Sequence, residues 1–147
     1  MRRVEKITER LGIEDEKITD TELHQQYPLK MLWKRIDKHF NKNWDEFDKA
    51  QEEVEVLLSK VDALKDTIYY EKCIRFRVYS HGNRKDGNEL RKALAKHKDI
   101  NMEKIFSDNA DIAWRYIDIM NSCFAVGVAD EGFSLMQQVN SLLTSPA

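Results

Sequence analysis

The sequence predicts an all-α, mainly helical protein of a single domain that forms a homo-oligomeric helical assembly. Apolar residues recur at helical spacing along most of the 147 residues. One stretch, near residues 74–80, alternates with the period of two that suits a strand, but no other run offers it a partner strand. Two consecutive, strongly apolar helices at the C-terminus predict self-association, because one small domain leaves part of their surface uncovered.

The first predicted helices precede residue 41. Val4, Ile7 and Leu11 follow helical spacing, and Gly12 ends that helix. The next helix has Pro28 in its first turn, and its apolar stripe comprises Leu29, Leu32, Trp33, Ile36 and Phe40. The stretch from Asn41 to Asn43 interrupts this helix, and Asn43 is suited to cap the next one.

The segment that follows has the clearest periodicity of the chain. Its apolar residues alternate steps of three and four over about three heptads; they are Phe47, Ala50, Val54, Leu57, Val61, Leu64 and Ile68. Such a seam packs against another helix. That helix belongs either to the same chain or to a second copy, and the sequence leaves both alternatives open.

Beyond Ile68 the heptad pattern fails, and residues 74–80 allow two interpretations. We favour a continuing helix whose shifted apolar stripe comprises Tyr69, Cys73 and Phe76. A short extended segment is the alternative. Gly82 and Gly87 then bracket a predicted loop, and Asn88 is suited to cap a helix that reaches about Lys98. Asn101 is suited to cap a short helical turn.

Two apolar helices occupy the C-terminal part of the chain. The first starts at Ser107 or Asp108 and is apolar on nearly all sides, and the second carries a broad apolar stripe. The residues predicted to mediate self-association are Ile112, Tyr116, Met120, Phe124, Phe133, Met136, Val139 and Leu143.

The charges are distributed unevenly although the formal net charge is only −2. Residues 72–98 carry nine Lys or Arg against two acids, a net charge of +7. Residues 43–66 carry eight acids against three bases, and residues 99–147 carry seven acids against two bases, a net charge of −5 in each case. A local basic block is typical of a polyanion site, but also of a solvated helix face, and charge alone leaves both open.

Several classes of protein find no support in the sequence. There is no run of about 18 apolar residues that predicts a transmembrane helix, and the charged N-terminus lacks the apolar core of a secretory signal. Cys73 and Cys123 lie far apart, as in proteins of a reducing compartment, so we expect a cytoplasmic protein without a disulfide framework. Phosphate-binding glycine motifs, metal-ligand spacings and nucleophile motifs are missing, so we expect no metal, no cofactor and no enzymatic activity.

One enzymatic alternative stays open. Small helical ribonucleases of the HEPN class carry an Arg followed five to seven residues later by a His. Arg75 with His81, and Arg91 with His97, fit that spacing. Motifs this short also arise by chance.

Non-specific binding of single-stranded DNA explains the basic block better, because it needs cations for phosphates and aromatic rings for bases. The stretch YYEKCIRFRVYSHGNRKDG interleaves the two kinds of side chain. The residues predicted to contact DNA are Lys72, Arg75, Arg77, Tyr79, Arg84, Lys85, Arg91 and Lys92. Several copies around one strand would strengthen the modest binding of each protomer. A helical interaction module without DNA affinity is a further alternative.

Four segments resemble the UvsY-type recombination mediator proteins of tailed bacteriophages. They are TDTEL followed by KMLWKRIDKH, then IRFRVYSHGNRKDGNE, then LAKHKDI, and finally AWRYIDIMNSCFAVGVADEGF. Their order and spacing are similar to those of the family from about Ile18 to Leu143. In the family, a Lys and an Arg two residues later serve DNA binding. Arg75 matches the Arg, whereas Cys73 occupies the Lys position, which leaves Lys72 or Arg77 to take over that role.

The resemblance implies a non-enzymatic accessory of phage recombination in the host cytoplasm. Members of the family bind single-stranded DNA and form ring-like homo-oligomers. They help a phage RecA-like recombinase replace the phage single-strand-binding protein on the strand. On this basis, residues 1–106 form a helical DNA-binding part and residues 107–147 an oligomerisation segment of one structural domain.

Overall fold

The computed structural model describes residues 20–144, with side chains from residue 26 onward, and this part of the chain is all-α as predicted. Its helices are α1 (Asp20–His39), α2 (Trp44–Lys60), α3 (Ile68–Asn83), α4 (Gly87–Lys98), α5 (Met102–Ile105), α6 (Asn109–Ala125) and α7 (Ala129–Thr144), with a 3-10 helix at Asp62–Asp66. None of these helices is both long and apolar enough to cross a membrane. The predicted helix containing Val4, Ile7 and Leu11 lies outside the described residues. The prediction that Pro28 stands in the first turn of the next helix was wrong, because α1 begins at Asp20 and Pro28 lies inside it.

Short polar side chains cap most of the helix starts. The side chain of Asn43 accepts a hydrogen bond of 3.1 Å from a backbone N–H of the first turn of α2, and Asn101 and Asp108 do the same for α5 and α6. The predicted caps at Asn43 and Asn101 are confirmed, and Asp108, one of the two residues predicted to start α6, is its cap. A cap of this kind contributes about 1 kcal/mol. The predicted Asn88 cap was wrong, because Asp86 caps α4 instead.

The predicted heptad seam holds only as far as α2 extends. Phe47, Ala50 and Val54 are completely buried within the single chain, so this half of the seam belongs to the protein's own core. Val61 then leaves the helical conformation, with φ −134° and ψ 82°. A 3-10 helix follows, and α3 begins at Ile68. The prediction of an uninterrupted seam up to Ile68 was therefore wrong.

Residues 74–80 lie within α3, so the alternative of an extended segment was wrong. The misleading alternation arises because α3 is the central helix and packs against α1, α4 and α6. Ile74 and Val78 are fully buried, and Phe76 packs against Trp33 of α1 with 4.7 Å between the ring centres. A helix that is covered on several sides has no single apolar stripe, so its periodicity in the sequence is weak.

Gly82 lies inside α3 and not in a loop. Only residues 84–86 connect α3 to α4, and Lys85 adopts a left-handed conformation in this tight turn, with φ 60°. A Cβ atom at position 82 would lie 3.1 Å from the Cβ atom of Ser122 in α6. The absence of a side chain therefore lets α3 and α6 approach closely, and the predicted loop over residues 82–87 was too long.

Two adjoining clusters of buried side chains form the core. The larger cluster is built mainly from α1, α2, α3 and the residues around α5, and it includes Leu29 and Phe47. The second joins α3 and α4 to α6 and α7. Because Val78 of α3 and Leu135 of α7 belong to this second cluster, the parts of the chain before and after residue 106 pack together.

Candidate functional site

The predicted DNA-contacting residues of α3 lie on two different sides of that helix. Each residue of an α-helix turns by about 100°, so Arg75 and Arg77 point in nearly opposite directions. Lys72 and Arg75 contact rings of α1 and α6, whereas Arg77 and Arg84 contact carboxylates of α2. The structure therefore does not bring the predicted residues together on one surface.

Both arginines that face α2 are bound by carboxylates of their own chain. The guanidinium of Arg84 donates two hydrogen bonds to Asp48, at 2.9 and 3.0 Å, and lies 4.5 Å from the ring centre of Trp44. Arg77 donates a hydrogen bond of 2.8 Å to Glu55. Charge-assisted pairs of this geometry are among the strong hydrogen bonds of proteins. A phosphate would have to displace these carboxylates before it could bind either arginine.

These pairs border a cleft of about 450 Å³ between α2 and the α3–α4 turn. The carboxylates that line it are Asp48, Glu52, Glu55, Asp86 and Glu89. They outnumber the two arginines in the lining, which also includes His81. Burial and the neighbouring charge of Arg84 hold the pKa of His81 below its usual value, so the imidazole adds no positive charge at pH 7. The cleft therefore carries a net negative charge and favours cations over phosphates.

The other predicted DNA-contacting residues lie at the α3–α4 turn and on the surface of α4. Lys85 is exposed in the turn. Arg91 donates two hydrogen bonds of 3.0 Å to Asp130, and Lys92 donates one of 3.0 Å to Glu89. All three cations are accessible, but acidic side chains balance the two on α4.

Arg75, which matches the DNA-binding Arg of the UvsY-type family, belongs to a buried charge network. Its Nε donates to both carboxylate oxygens of Glu71, at 3.1 and 3.0 Å. Nε2 of His97 lies 2.7 Å from the same carboxylate, and Nε of Arg115 lies 3.8 Å from it. Glu71 is completely buried, and at most 8% of the surface of each of the other three residues is exposed.

The network keeps Glu71 ionised and remains cationic as a whole. Burial disfavours the charged carboxylate, but the hydrogen bond from His97 and the charge of Arg75 outweigh it, so the pKa of Glu71 lies below its usual value. An ionised carboxylate only accepts hydrogen bonds, so His97 Nε2–H donates to it. Two guanidinium groups then face one carboxylate, which leaves a net positive charge beneath the surface.

A second group of cations lies where α1 packs on α3. We call it the lysine–aromatic face, and it comprises Lys30, Trp33, Lys34, Tyr69 and Lys72. Nζ of Lys72 lies 5.7 Å from the ring centre of Trp33 and 6.0 Å from that of Tyr69. Nζ of Lys30 lies 5.1 Å from the ring centre of Tyr69 and donates a hydrogen bond to its hydroxyl at 3.2 Å. Ammonium groups and aromatic rings are thus combined where α1 packs on α3; Lys30 and Tyr69 are buried there, Trp33 and Lys72 are half-buried, and Lys34 is exposed.

The three ammonium groups of this face repel one another. Burial lowers the pKa of Lys30 to about 8, and the charges of Lys34 and Lys72 contribute to the shift. Of the five residues, only Lys72 was predicted as a DNA contact. The sequence nevertheless contains a signal, since Lys30, Trp33 and Lys34 in KMLWK are spaced to share one side of a helix.

The residues predicted to mediate self-association divide between the core and the surface. Ile112 and Val139 are buried in the chain's own core, and Tyr116, Met120 and Phe124 are half-buried. The exposed members lie on one side of the last helix, and we call them the α7 stripe: Phe133, Met136 and Leu143, with exposed fractions of 57, 38 and 58%.

Neither Arg–His pair of the ribonuclease alternative meets at the surface. His97 is buried against Glu71, whereas Arg91 is exposed on α4. Arg75 is buried in the same network, whereas His81 lines the acidic cleft beside α2. A general acid or base has to reach its substrate, and each pair has a member that is shielded from the other and from solvent.

No family model, curated protein or solved structure matches this chain.

Proposed function

We propose that this protein binds single-stranded DNA as a homo-oligomer and acts as a recombination mediator. The lysine–aromatic face is the observation that carries the proposal, because it combines ammonium groups with aromatic rings on two neighbouring helices. Sequence-independent binding of a single strand depends on these two kinds of group, which contact the phosphates and the bases respectively. The resemblance of residues 74–89 to the UvsY-type family adds support, because it leaves Lys72, next to Cys73 at the family's Lys position, as one of two candidates for that DNA-binding role.

The strand would lie across α1 and α3. Lys34 is exposed and Lys72 is half-buried, so their ammonium groups are placed to contact neighbouring phosphates. Trp33, which is also half-buried, lies 5.7 Å from the ammonium group of Lys72 and offers its ring to a base. Binding is therefore expected to be electrostatic, to weaken as salt rises and to depend little on base sequence.

Self-association makes this modest site effective. One protomer offers only a few phosphate contacts, whereas several copies on one strand bind with the advantage of a high effective concentration. The α7 stripe is the proposed contact between copies, because its exposed apolar side chains become buried on association. A closed ring is the form of assembly that the family resemblance implies.

The mediator role is proposed from the family resemblance. Binding of the strand to the assembly would loosen the phage single-strand-binding protein, and the phage RecA-like recombinase would then assemble on the exposed strand. ATP hydrolysis belongs to the recombinase in this scheme. With the recombinase and an excess of single-strand-binding protein, this protein should shorten the lag of strand-dependent ATP hydrolysis. An unchanged lag at saturating protein would contradict the mediator role while leaving DNA binding intact.

The DNA-binding proposal is tested with a labelled oligothymidylate in a fluorescence anisotropy titration over a range of salt concentrations. Lys34→Glu combined with Lys72→Glu should abolish most of the affinity at low salt. The logarithmic salt slope should fall by about 1.4 per protomer, because each lost phosphate contact removes about 0.7 from it.

The matched control makes the same change of charge elsewhere, with Lys49→Glu and Lys104→Glu. Both lysines are exposed and outside every site considered above. An equal loss in this control would show that overall charge, and not the lysine–aromatic face, determines binding. A third variant, which combines Lys85→Glu with Lys92→Glu, measures separately how much the α3–α4 turn and α4 contribute to the affinity for the oligonucleotide. If the wild-type protein has no affinity for the oligonucleotide even at low salt, the protein is an interaction module instead.

A further inference from the structure

Trp114 is a large aromatic side chain that α6 presents to solvent, with 43% of its surface exposed. The guanidinium carbon of Arg115 lies 4.2 Å from its ring centre, and that of Arg75 lies 5.2 Å from it. Both guanidinium groups also approach the buried carboxylate of Glu71. They therefore connect the indole to the buried charge network, and the exposed part of the ring is accessible to a ligand.

Further contacts hold the two guanidinium groups that lie against Trp114. Nη1 of Arg115 donates a hydrogen bond of 2.8 Å to the backbone carbonyl of Asp111, and the guanidinium carbon lies 3.9 Å from the ring centre of Phe106. Arg75 also donates to the hydroxyl of Tyr79 at 3.1 Å. A ring held in one orientation before binding loses little conformational freedom when a ligand stacks on it.

The charges beneath the ring are of both signs. Among the described residues, Arg75 and Arg115 share the carboxylate of Glu71, and Nε of Arg115 is buried without a hydrogen-bond partner. Burial, together with the charge of Arg75, lowers the pKa of Arg115, whereas the charges of Glu71 and Asp111 act in the opposite direction. What the indole offers to a ligand is therefore its aromatic ring.

We propose that Trp114 is a stacking platform for a nucleobase, with its ring held in place by the guanidinium groups of Arg75 and Arg115. This inference rests on the proposed function for the class of ligand. The position of Trp114 supports the inference. The ring centre of Phe76 lies 5.7 Å from the guanidinium carbon of Arg75, which contacts Trp114, and 4.7 Å from the ring centre of Trp33. A strand on the lysine–aromatic face can therefore continue past Phe76 to Trp114.

Substitutions at Trp114 distinguish stacking from plain apolar contact. Trp114→Ala and Trp114→Leu should weaken oligothymidylate binding about five-fold or more, because stacking on an aromatic side chain contributes about 1–3 kcal/mol per base. Trp114→Phe keeps a ring and should retain most of the affinity. An oligomer of abasic deoxyribose phosphate offers no base, so all four proteins should bind it equally. Thermal melts of each variant check that the fold is retained.

Fluorescence locates the contact directly. A protein with Trp33→Phe and Trp44→Phe keeps Trp114 alone, and oligothymidylate should quench its emission. A protein with Trp33→Phe and Trp114→Phe keeps Trp44, which lies against Arg84 on the side of α3 that faces α2, and its emission should stay unchanged.

Three outcomes would overturn the inference. Equal affinities of the Leu and Phe variants would show that no stacking occurs. Oligonucleotide binding in the anisotropy assay without quenching of Trp114 would refute the platform while the proposed function stands. Emission of Trp114 that changes with protein concentration, but not with oligonucleotide, would place this ring at a contact between copies. If the wild-type protein does not bind the oligonucleotide at all, the proposed function fails first and this inference fails with it.

Discussion

The carboxylate of Glu71 ties three helices together at a single buried point. It accepts hydrogen bonds from Arg75 of α3 and His97 of α4, and Arg115 of α6 approaches it. Water does not reach Glu71, which is completely buried. Removing the only carboxylate of such a cluster leaves uncompensated cations in the interior, and this costs more than the loss of an exposed ion pair.

Glu71→Gln should lower the free energy of unfolding by about 3–5 kcal/mol at neutral pH, measured by urea denaturation. The pKa of Glu71 is depressed in the folded state, so its contribution is present above the unfolded pKa and is lost as the pH falls through the folded pKa. The stability difference between wild type and variant should therefore shrink in acid.

Glu55→Gln is the control for this prediction. Glu55 pairs with Arg77 and Lys96, but its side chain is 40% exposed, so its loss should cost about 1 kcal/mol or less. Equal effects of the two substitutions would contradict the special role of the buried carboxylate.

At the scale of the elements, two glycines stand at helix junctions for different reasons. Gly127 follows α6 with φ 75°, a conformation that disfavours any side chain, although a Cβ atom there would meet nothing within 4 Å. Gly87 is the first residue of α4, and a Cβ atom there would meet Val128 at an ordinary 3.5 Å. Backbone conformation alone therefore separates the two positions.

Gly127→Ala should destabilise the protein by about 1 kcal/mol, because the left-handed conformation costs an L-residue roughly that amount. Gly87→Ala should be neutral or stabilising by up to about 1 kcal/mol, because alanine restricts the unfolded chain and favours the helix. Thermal melts of the two variants side by side measure the difference. Similar losses of stability at both positions would contradict the explanation from backbone conformation.

At the scale of the whole molecule, acidic side chains of residues 43–66 form ion pairs with basic side chains of residues 72–98. Asp48 of α2 binds Arg84, and Glu55 binds both Arg77 and Lys96. Much of the +7 charge of residues 72–98 is therefore balanced inside the protein. Among the described residues, Lys34 of the lysine–aromatic face and the apolar side chains of the α7 stripe are exposed.

Phe133→Glu combined with Leu143→Glu should lower the native mass measured by light scattering at a fixed protein concentration. Burial of a large apolar side chain contributes about 1.5–3 kcal/mol, and two charges in the contact would oppose association further. Gln138→Glu, on another side of the same helix, should leave the mass unchanged. An unchanged mass in the double variant would place the contact between copies outside the α7 stripe.

Local interactions determined what the sequence could predict. The helices around Leu29–Phe40 and the caps at Asn43, Asn101 and Asp108 follow from hydrogen bonds and apolar spacing within a few residues. Such signals are complete in the sequence, because both partners lie within one or two turns. The break at Val61 and the helical Gly82 were missed, because both depend on packing between helices.

The tertiary structure alone decided which charges are paired or buried. Arg77 is neutralised by Glu55, which lies 22 residues earlier in the chain, and Arg75 is buried near Trp114 of α6. The composition gives the number of cations but not the carboxylates that the fold places next to them. Lys30 and Lys34 belong to α1 and Lys72 belongs to α3, so the three come together only when α1 packs on α3. An electrostatic field depends on distances in space, and the linear order of residues does not contain those distances.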